Sequence, residues 1–184
     1  EAVLITGAAG CGKSFFASAL GQQACAQGYS VEYCNTQKLL LRAKMSRIEG
    51  STLKFFDKLA KTNLLIMDDF GLTHLESQQQ LDLMEIIEDR HGRAATIISS
   101  QLPVQSWFDV IGEETIADAI LDRLVHASYR IELKGESLRK NGNFVSRLCF
   151  LNHNLMVGQY DRIGWSVSPK YPYYRNFSSK VRNI

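Results

Sequence analysis

Gly7, Gly12, Lys13 and Ser14 stand in "GAAGCGKS" at residues 7 to 14, spaced as G-x-x-x-x-G-K-S. The apolar run "AVLIT" precedes them and "FFASALGQQACAQ" follows. A strand that breaks into a glycine-rich turn and then a helix can hold phosphate. The glycines let backbone N–H groups turn inward, and the helix N-terminus adds partial positive charge. Lys13 would reach the β- and γ-phosphates of a nucleotide, and the Ser14 hydroxyl would ligate Mg2+. The nucleotide-contacting stretch then runs through Gly7, Ala8, Ala9, Gly10, Cys11, Gly12, Lys13, Ser14 and Phe15. Glycines can also merely close a turn, but that leaves Lys-Ser in register without a reason.

Asp68 and Asp69 end the apolar run "LLIMDD", which would carry a carboxylate to the edge where ligands of open α/β sheets bind. Asp68 would hold Mg2+ through water, and Asp69 would orient or deprotonate an attacking water. A later run, "TIISS" at 96 to 100, finishes in hydroxyls. Ser100, or Ser99 beside it, would sense the γ-phosphate or the water, although two serines at a strand end can also cap the next segment. In "EETIADAILDRLVHASYRIEL" the residues Ile116, Ile120 and Leu124 share one helix face and Arg123 lies on another. That arginine could reach the nucleotide of a neighbouring subunit and stabilise transition-state charge, or pair on the surface with Asp118 or Asp122.

Strands are expected over 3 to 6, 30 to 34, 64 to 68, 96 to 100 and 129 to 133, with helices between them. The short, nearly continuous apolar runs suit strands covered on both faces of a parallel sheet, and their alternation with helices implies a three-layer α/β fold. Phe16, Leu20 and Ala24 would share one side of the first helix. A capping box of Ser77 with Gln80 would open a later helix that stops at Gly92. Between the second and third strands lie two helices. Lys38 and Arg42 sit one turn apart on the first, and Lys54, Lys58 and Lys61 recur on the second, while Phe55, Phe56 and Leu59 turn to the core. Such stripes could contact duplex phosphates without reading bases, and solvated helix faces look the same.

A chain of 184 residues, 45% hydrophobic and 22% charged, has the composition of one globular domain. Its net charge of +2 is uneven: residues 1–140 hold 15 Lys+Arg against 18 Asp+Glu, and residues 141–184 hold 6 against 1. The second segment also carries eight of eighteen aromatics, so it reads as a basic, aromatic tail, either a loosely packed extension or a surface on which bases stack. Cys11, Cys25, Cys34 and Cys149 form no metal-ligand pattern or disulfide framework, which suits a reduced, cytoplasmic setting. No run is long enough to span a membrane. With no initiator Met and a strand beginning at once, the chain is expected to lack a natural N-terminal region.

"GAAGCGKS", "LLIMDDFGL", "TIISSQLPVQSWFDVIG" and "TIADAILDRLVHASYRIELKGESLRK" resemble the IstB-like helper ATPases of insertion-sequence transposition. These are relatives of the replicative helicase loader DnaC within the initiator group of AAA+ ATPases. The resemblance covers about residues 2 to 140. It implies a P-loop ATPase domain over 1–140, a central parallel sheet in the order 5-1-4-3-2, and ATP with Mg2+ as cofactors. It further implies a homo-oligomer assembled by ATP on double-stranded DNA, where it engages a transposase. By motif it carries roles to Lys13, Asp69, Ser100 and Arg123 in catalysis, to Ser14 and Asp68 at the metal, and to Arg139 in "GESLRK" as a nucleotide sensor. The extra helix of initiator proteins, which faces nucleic acid, falls on the stretch with Lys38, Arg42, Lys54, Lys58 and Lys61. A DnaC-like helicase loader is the alternative. A small-molecule kinase fits less well, because residues 104 to 128 offer Arg123 alone where a kinase lid needs several arginines.

Overall fold

The computed structural model describes residues 1–126, 128–135 and 137–138. The elements run β1 (Ala2–Gly7), α1 (Lys13–Ala26), β2 (Val31–Asn35), α2 (Thr36–Ile48), α3 (Thr52–Lys61), β3 (Leu64–Phe70), α4 (Ser77–Arg90) and β4 (Ala95–Ser100). A 3-10 turn (Val104–Ser106), α5 (Trp107–Ile111), α6 (Glu114–Val125) and β5 (Ser128–Leu133) follow. The five strands pair in parallel in the order β2-β3-β4-β1-β5, the expected order read from the other edge. Insertion of β4 between β1 and β3 brings the ends of the glycine strand and the aspartate strand to either side of "TIISS".

Neighbouring residues of each inner strand feed different cores, as period-two side chains must when both sheet faces are covered. Ile5, Ile66 and Ile97 face α1, where Ala17, Phe16, Leu20 and Ala24 meet them. Leu4, Leu65, Met67 and Ile98 face the other layer with Leu39, Leu40, Leu83, Ile87, Trp107, Ile120 and Leu124. Gly21 lets α1 lie close to the sheet, since a Cβ there would stand 2.7 Å from Ile66 Cδ1. Phe56 and Leu59 are buried and Phe55 packs on the same core, as the spacing of α3 predicts.

The cap of α4 differs from expectation by one residue. Glu76 is the N-cap and Gln79 Oε1 accepts from the Glu76 N–H at 3.0 Å, whereas Ser77 is the first helical residue. Leu75, buried and bonded through its N–H to Val110 O at 3.1 Å, fixes where the chain enters the helix and thereby selects Glu76. The other end carries a device that composition hides. Arg90, 1% exposed, donates to Leu59 O, Thr62 O (2.8 Å), Ala95 O and Thr96 Oγ1 (3.1 Å). One guanidinium thus satisfies the carboxyl end of α3 and the start of β4, positions that would otherwise leave buried carbonyls unpaired. Burial lowers its pKa to about 10, so it remains charged at neutral pH. Among the described residues no helix is long and apolar enough to cross a membrane. The tail expected over 141–184 and Arg139 lie outside the described residues.

Candidate active site

β1 ends at Gly7 and the chain turns through Gly10 (φ 82°) and Gly12 (φ 98°), which caps α1 in the left-handed conformation. Side chains rarely adopt such angles, and at Gly10 a Cβ would also collide with the Ser137 side chain. The segment after β5 therefore lies against the loop, and the Leu138 N–H donates to Gly10 O at 3.0 Å. Ala8 and Ala9 are exposed, Cys11 and Ser14 half-buried, and Phe15 stands at the surface. The first N–H groups of α1 have no carbonyl one turn back, so they are available to an anion. Lys13, the first helical residue, is 6% exposed and donates through Nζ to Gly7 O (2.7 Å) and Ala8 O (2.8 Å). Its ammonium is thus already folded over the loop that would cradle phosphate.

Asp68 is buried at the carboxyl edge of β3. Its Oδ1 accepts from Ser99 Oγ and from the Asp69 N–H (3.0 Å), and its Oδ2 accepts from the Tyr33 phenol. Burial, then the Asp68 charge, raise the Tyr33 pKa above the usual phenol range, so Tyr33 remains the donor. Asp69 has φ 56°, the one non-glycine with positive φ among the described residues. A left-handed aspartate costs about 1 kcal/mol and persists only when its surroundings over-determine it. Here Phe70 follows, fully buried against Trp107 with ring centroids 4.6 Å apart, and Asn35 Nδ2 donates to Asp69 Oδ2 at 3.2 Å. Asn35 also caps α2, its Oδ1 accepting from Gln37 N (3.1 Å) and Lys38 N (3.3 Å). One amide side chain couples the aspartate turn to the helix beside it.

The two serines of β4 divide their work. Met67 pairs with Ile98 and Phe70 with Ser100, so two β3 residues, Asp68 and Asp69, bulge opposite Ser99 alone. Ser99 therefore meets the Asp68 carboxylate. Ser100 Oγ instead donates to Phe70 O (2.7 Å) and accepts from Leu102 N (3.0 Å), holding the turn after the strand. The expected sensor hydroxyl at Ser100 is thus engaged by backbone, and it is the neighbour that reaches the acidic site.

Arg123 lies at the opposite edge of the sheet from the glycine loop. It shares a surface depression with Glu1, Ala2, Arg90 and Thr96, while the loop begins after Gly7. The five steps from Ala2 to Gly7 span about 17 Å at strand rise, too far for its own side chain to cross. Its partner is neither Asp118 nor Asp122 but Glu88 of α4, at 3.1 Å, with a further bond to Ala119 O at 2.9 Å.

The basic stripes converge in part. Arg42 and Lys58, from different helices, both meet Glu32, at 2.7 and 3.2 Å, and Arg42 also lies over the Phe55 ring at 5.6 Å. Burial would raise Glu32, but the hydrogen bonds and charges of Arg42 and Lys58 outweigh it and hold its carboxyl below the usual range. Lys61 pairs with Asp57 at 2.6 Å, and Lys38 and Lys54 are exposed.

No group of three or more His, Cys, Asp or Glu suited to a metal occurs among the described residues. What is present suits Mg2+, which keeps several waters and is held by one or two oxygen ligands together with substrate phosphates. Ser14 at the head of α1 and the Asp68 carboxylate would be the oxygen ligands of such an ion. Tyr33 and Asn35 escape the motif reading, because their signal lies in register: Asn35 is the cross-strand partner of Asp68.

A family model described as IstB-like ATP binding protein matches residues 1–145. An insertion sequence ATP-binding protein of Sinorhizobium fredii, y4pL, is 50% identical over 137 residues, 74% of this chain and 56% of that one. The insertion sequence IS5376 ATP-binding protein of Geobacillus stearothermophilus is 32% identical over 139 residues, 76% of this chain and 55% of that one. The chain spans about half the length of these curated relatives. Among solved structures, the DnaC helicase loader superposes with a TM-score of 0.60 at 20% identity, covering 73% of this chain and 78% of that one. The replication initiator DnaA bound to AMPPCP and single-stranded DNA gives 0.64 at 17% identity, covering 100% and 55%. These likenesses show the AAA+ P-loop fold. With a glycine loop, an aspartate edge, a family model over residues 1–145 and a half-identical relative in agreement, the chain belongs to the IstB-like ATP-binding protein family.

Proposed function

We propose that this chain binds ATP with Mg2+ and hydrolyses it at a seam between copies assembled on double-stranded DNA, as a cytoplasmic helper that regulates a transposase. The observation that carries the reading is the placement of Arg123 at the sheet edge remote from its own glycine loop. A guanidinium so placed serves a nucleotide only if the nucleotide belongs to the next subunit, and head-to-tail repetition of that contact builds a ring or filament. ATP then favours assembly because it gains a cation in the assembled form that it lacks in the free one.

The loop N–H groups and Lys13 would bind the phosphates, with Ser14 and Asp68 holding the metal. Mg2+ would neutralise charge on the β- and γ-phosphate oxygens. Asp69 orients water in line with the γ-phosphorus. A water O–P bond forms as the bond to the β,γ-bridging oxygen breaks, ADP departs with that electron pair, and the water proton passes by way of Asp69 to solvent or phosphate. Ser99 and Asn35 keep the two carboxylates in place. Lys38, Lys54 and the Arg42–Lys58 pair provide a sequence-independent surface for duplex phosphates, which matches the need to act at many sites. Leu41, Met45 and Ile48, exposed at one-turn spacing on α2, add apolar area for a neighbouring copy or the transposase to cover. Arg139 would act as a nucleotide sensor, a role that rests on its place in the motif "GESLRK". The relatives' insertion-sequence names favour transposition over helicase loading.

Sedimentation with duplex DNA in ATP, ADP or a non-hydrolysable ATP analogue tests this. The expected result is a large complex grown with ATP or the analogue and lost with ADP. A chain that stays monomeric on DNA in every nucleotide state refutes the assembly.

A further inference from the structure

Tyr33 lies on β2 and its ring packs in the core that α1 builds over the sheet. The side chain extends beyond its register partner Ile66 toward the carboxyl edge, where the phenol donates to Asp68 Oδ2. The other oxygen of that carboxylate is held by Ser99 and by the Asp69 N–H. Ser14 and Ser18, one turn apart on α1, lie near the phenol, and Ser18 Oγ donates to Ser14 O at 2.7 Å.

The direction of these bonds is set by chemistry. A carboxylate only accepts, a protonated phenol donates one hydrogen and accepts through its lone pairs, and a serine does the same. The phenol hydrogen therefore goes to Asp68 Oδ2, the oxygen that Ser99 and the Asp69 N–H leave to it. A carboxylate that faces a cation must hold its plane fixed, and Tyr33 is the donor that fixes this oxygen.

We infer that Tyr33 is a positioning residue for the divalent cation of the nucleotide: its phenol donates to Asp68 Oδ2 and so fixes the orientation of the cation-facing carboxylate. The inference rests on the ATP reading above. It assigns to a tyrosine on β2 the orientation of a carboxylate that belongs to β3. No ordinary stability role has this consequence, because packing of the ring alone does not discriminate between nucleotide with metal and nucleotide without it.

The test measures binding of a fluorescent ATP analogue to the chain in Mg2+ and in EDTA, with a thermal melt of each variant. Tyr33→Phe keeps the ring and removes the hydrogen bond to Asp68. It should bind metal-free nucleotide like the parent but lose roughly tenfold of the tightening that Mg2+ gives, the size expected for one hydrogen bond to a charged group. Tyr33→Met, similar in length and also without a hydroxyl, should lose the same ratio, so a folding failure of one variant leaves the other to decide. Ser18→Ala should keep the ratio. If the parent chain binds more tightly with Mg2+ and both Tyr33 variants retain that full ratio, the inference is overturned while the ATP reading stands. If the parent binds no nucleotide in either condition, the ATP reading falls and the inference with it.

Discussion

Replacing Arg123 with alanine separates stability from catalysis by orders of magnitude. In the free subunit its guanidinium pairs with Glu88 at 3.1 Å, the two side chains being 26% and 56% exposed. An ion pair so open to solvent contributes roughly 0.2–1 kcal/mol, which for a domain of this size moves the melting temperature by about 2–4 °C at most. The same group acting on a neighbour's γ-phosphate contributes about 10³–10⁵ in kcat. Arg123→Ala should therefore melt almost like the parent and still bind nucleotide, yet lose ATP turnover on DNA by at least a thousandfold or so. Mixing decides where the arginine acts. Lys13→Ala retains Arg123 but lacks its own phosphate site, and Arg123→Ala has the complementary defect. In an equimolar head-to-tail assembly roughly a quarter of the interfaces join an intact loop to an intact arginine, so activity should return to about that fraction. Phosphate release measured across mixing ratios reads this directly. Full turnover by Arg123→Ala alone, or a co-assembled mixture that stays inactive, refutes action across the seam. The weakness of the Glu88 pair matters here, since Arg123 can leave it for a nucleotide at little cost.

The division of labour in β4 predicts that Ser99→Ala lowers kcat by tenfold or more with little change in the melt, whereas Ser100→Ala loosens the turn at Leu102 and costs about 1 kcal/mol of stability; ATPase rates and melting curves on both variants distinguish them. Glu32 has its folded pKa below its unfolded value, so its stabilisation is present above that unfolded value near pH 4.5 and is lost as pH falls through the folded one. Glu32→Gln should accordingly flatten the melting temperature between pH 7 and pH 3, and an unchanged pH profile would show that Arg42 and Lys58 do not act on it. Arg90→Met should destabilise by about 3 kcal/mol or more, because the carbonyls of Leu59, Thr62 and Ala95 lose a buried charged donor. Denaturant melts measure it, and a change below 1 kcal/mol or so would mean that those carbonyls find other donors.

The strands were legible because the apolar runs are short, bounded and two-sided, whereas their order followed from the family resemblance and not from the runs. Where propensity was ambiguous, tertiary contacts decided. The run Glu76-Ser77-Gln78-Gln79-Gln80 offers capping boxes in two frames, and only the anchoring of Leu75 on Val110 chooses the frame at Glu76. Arg90 gave no sign of its role, since a basic residue in the last turn of a helix is ordinarily a solvated complement to the helix dipole. Its neighbours in space come from α3 and β4, elements that the sequence separates from it by loops.

The same distinction explains the site. Groups that act through local spacing, Gly7 to Ser14 and Asp68 with Asp69, can be read along the chain because a loop and a strand end need nothing else to place them. Tyr33, Asn35 and Ser99 act across strands, and their roles depend on a register that the sequence does not state. The bulge is the sharpest case. With regular pairing Ser99 and Ser100 would each face one aspartate, and either could serve as sensor. The extra β3 residue puts both aspartates opposite Ser99 and sends Ser100 to Phe70. That irregularity also gives Asp69 its left-handed turn. One inserted residue therefore aims the second carboxylate and selects the serine that meets the first, so the chemistry of this edge is set as much by a break in strand pairing as by the motif it interrupts.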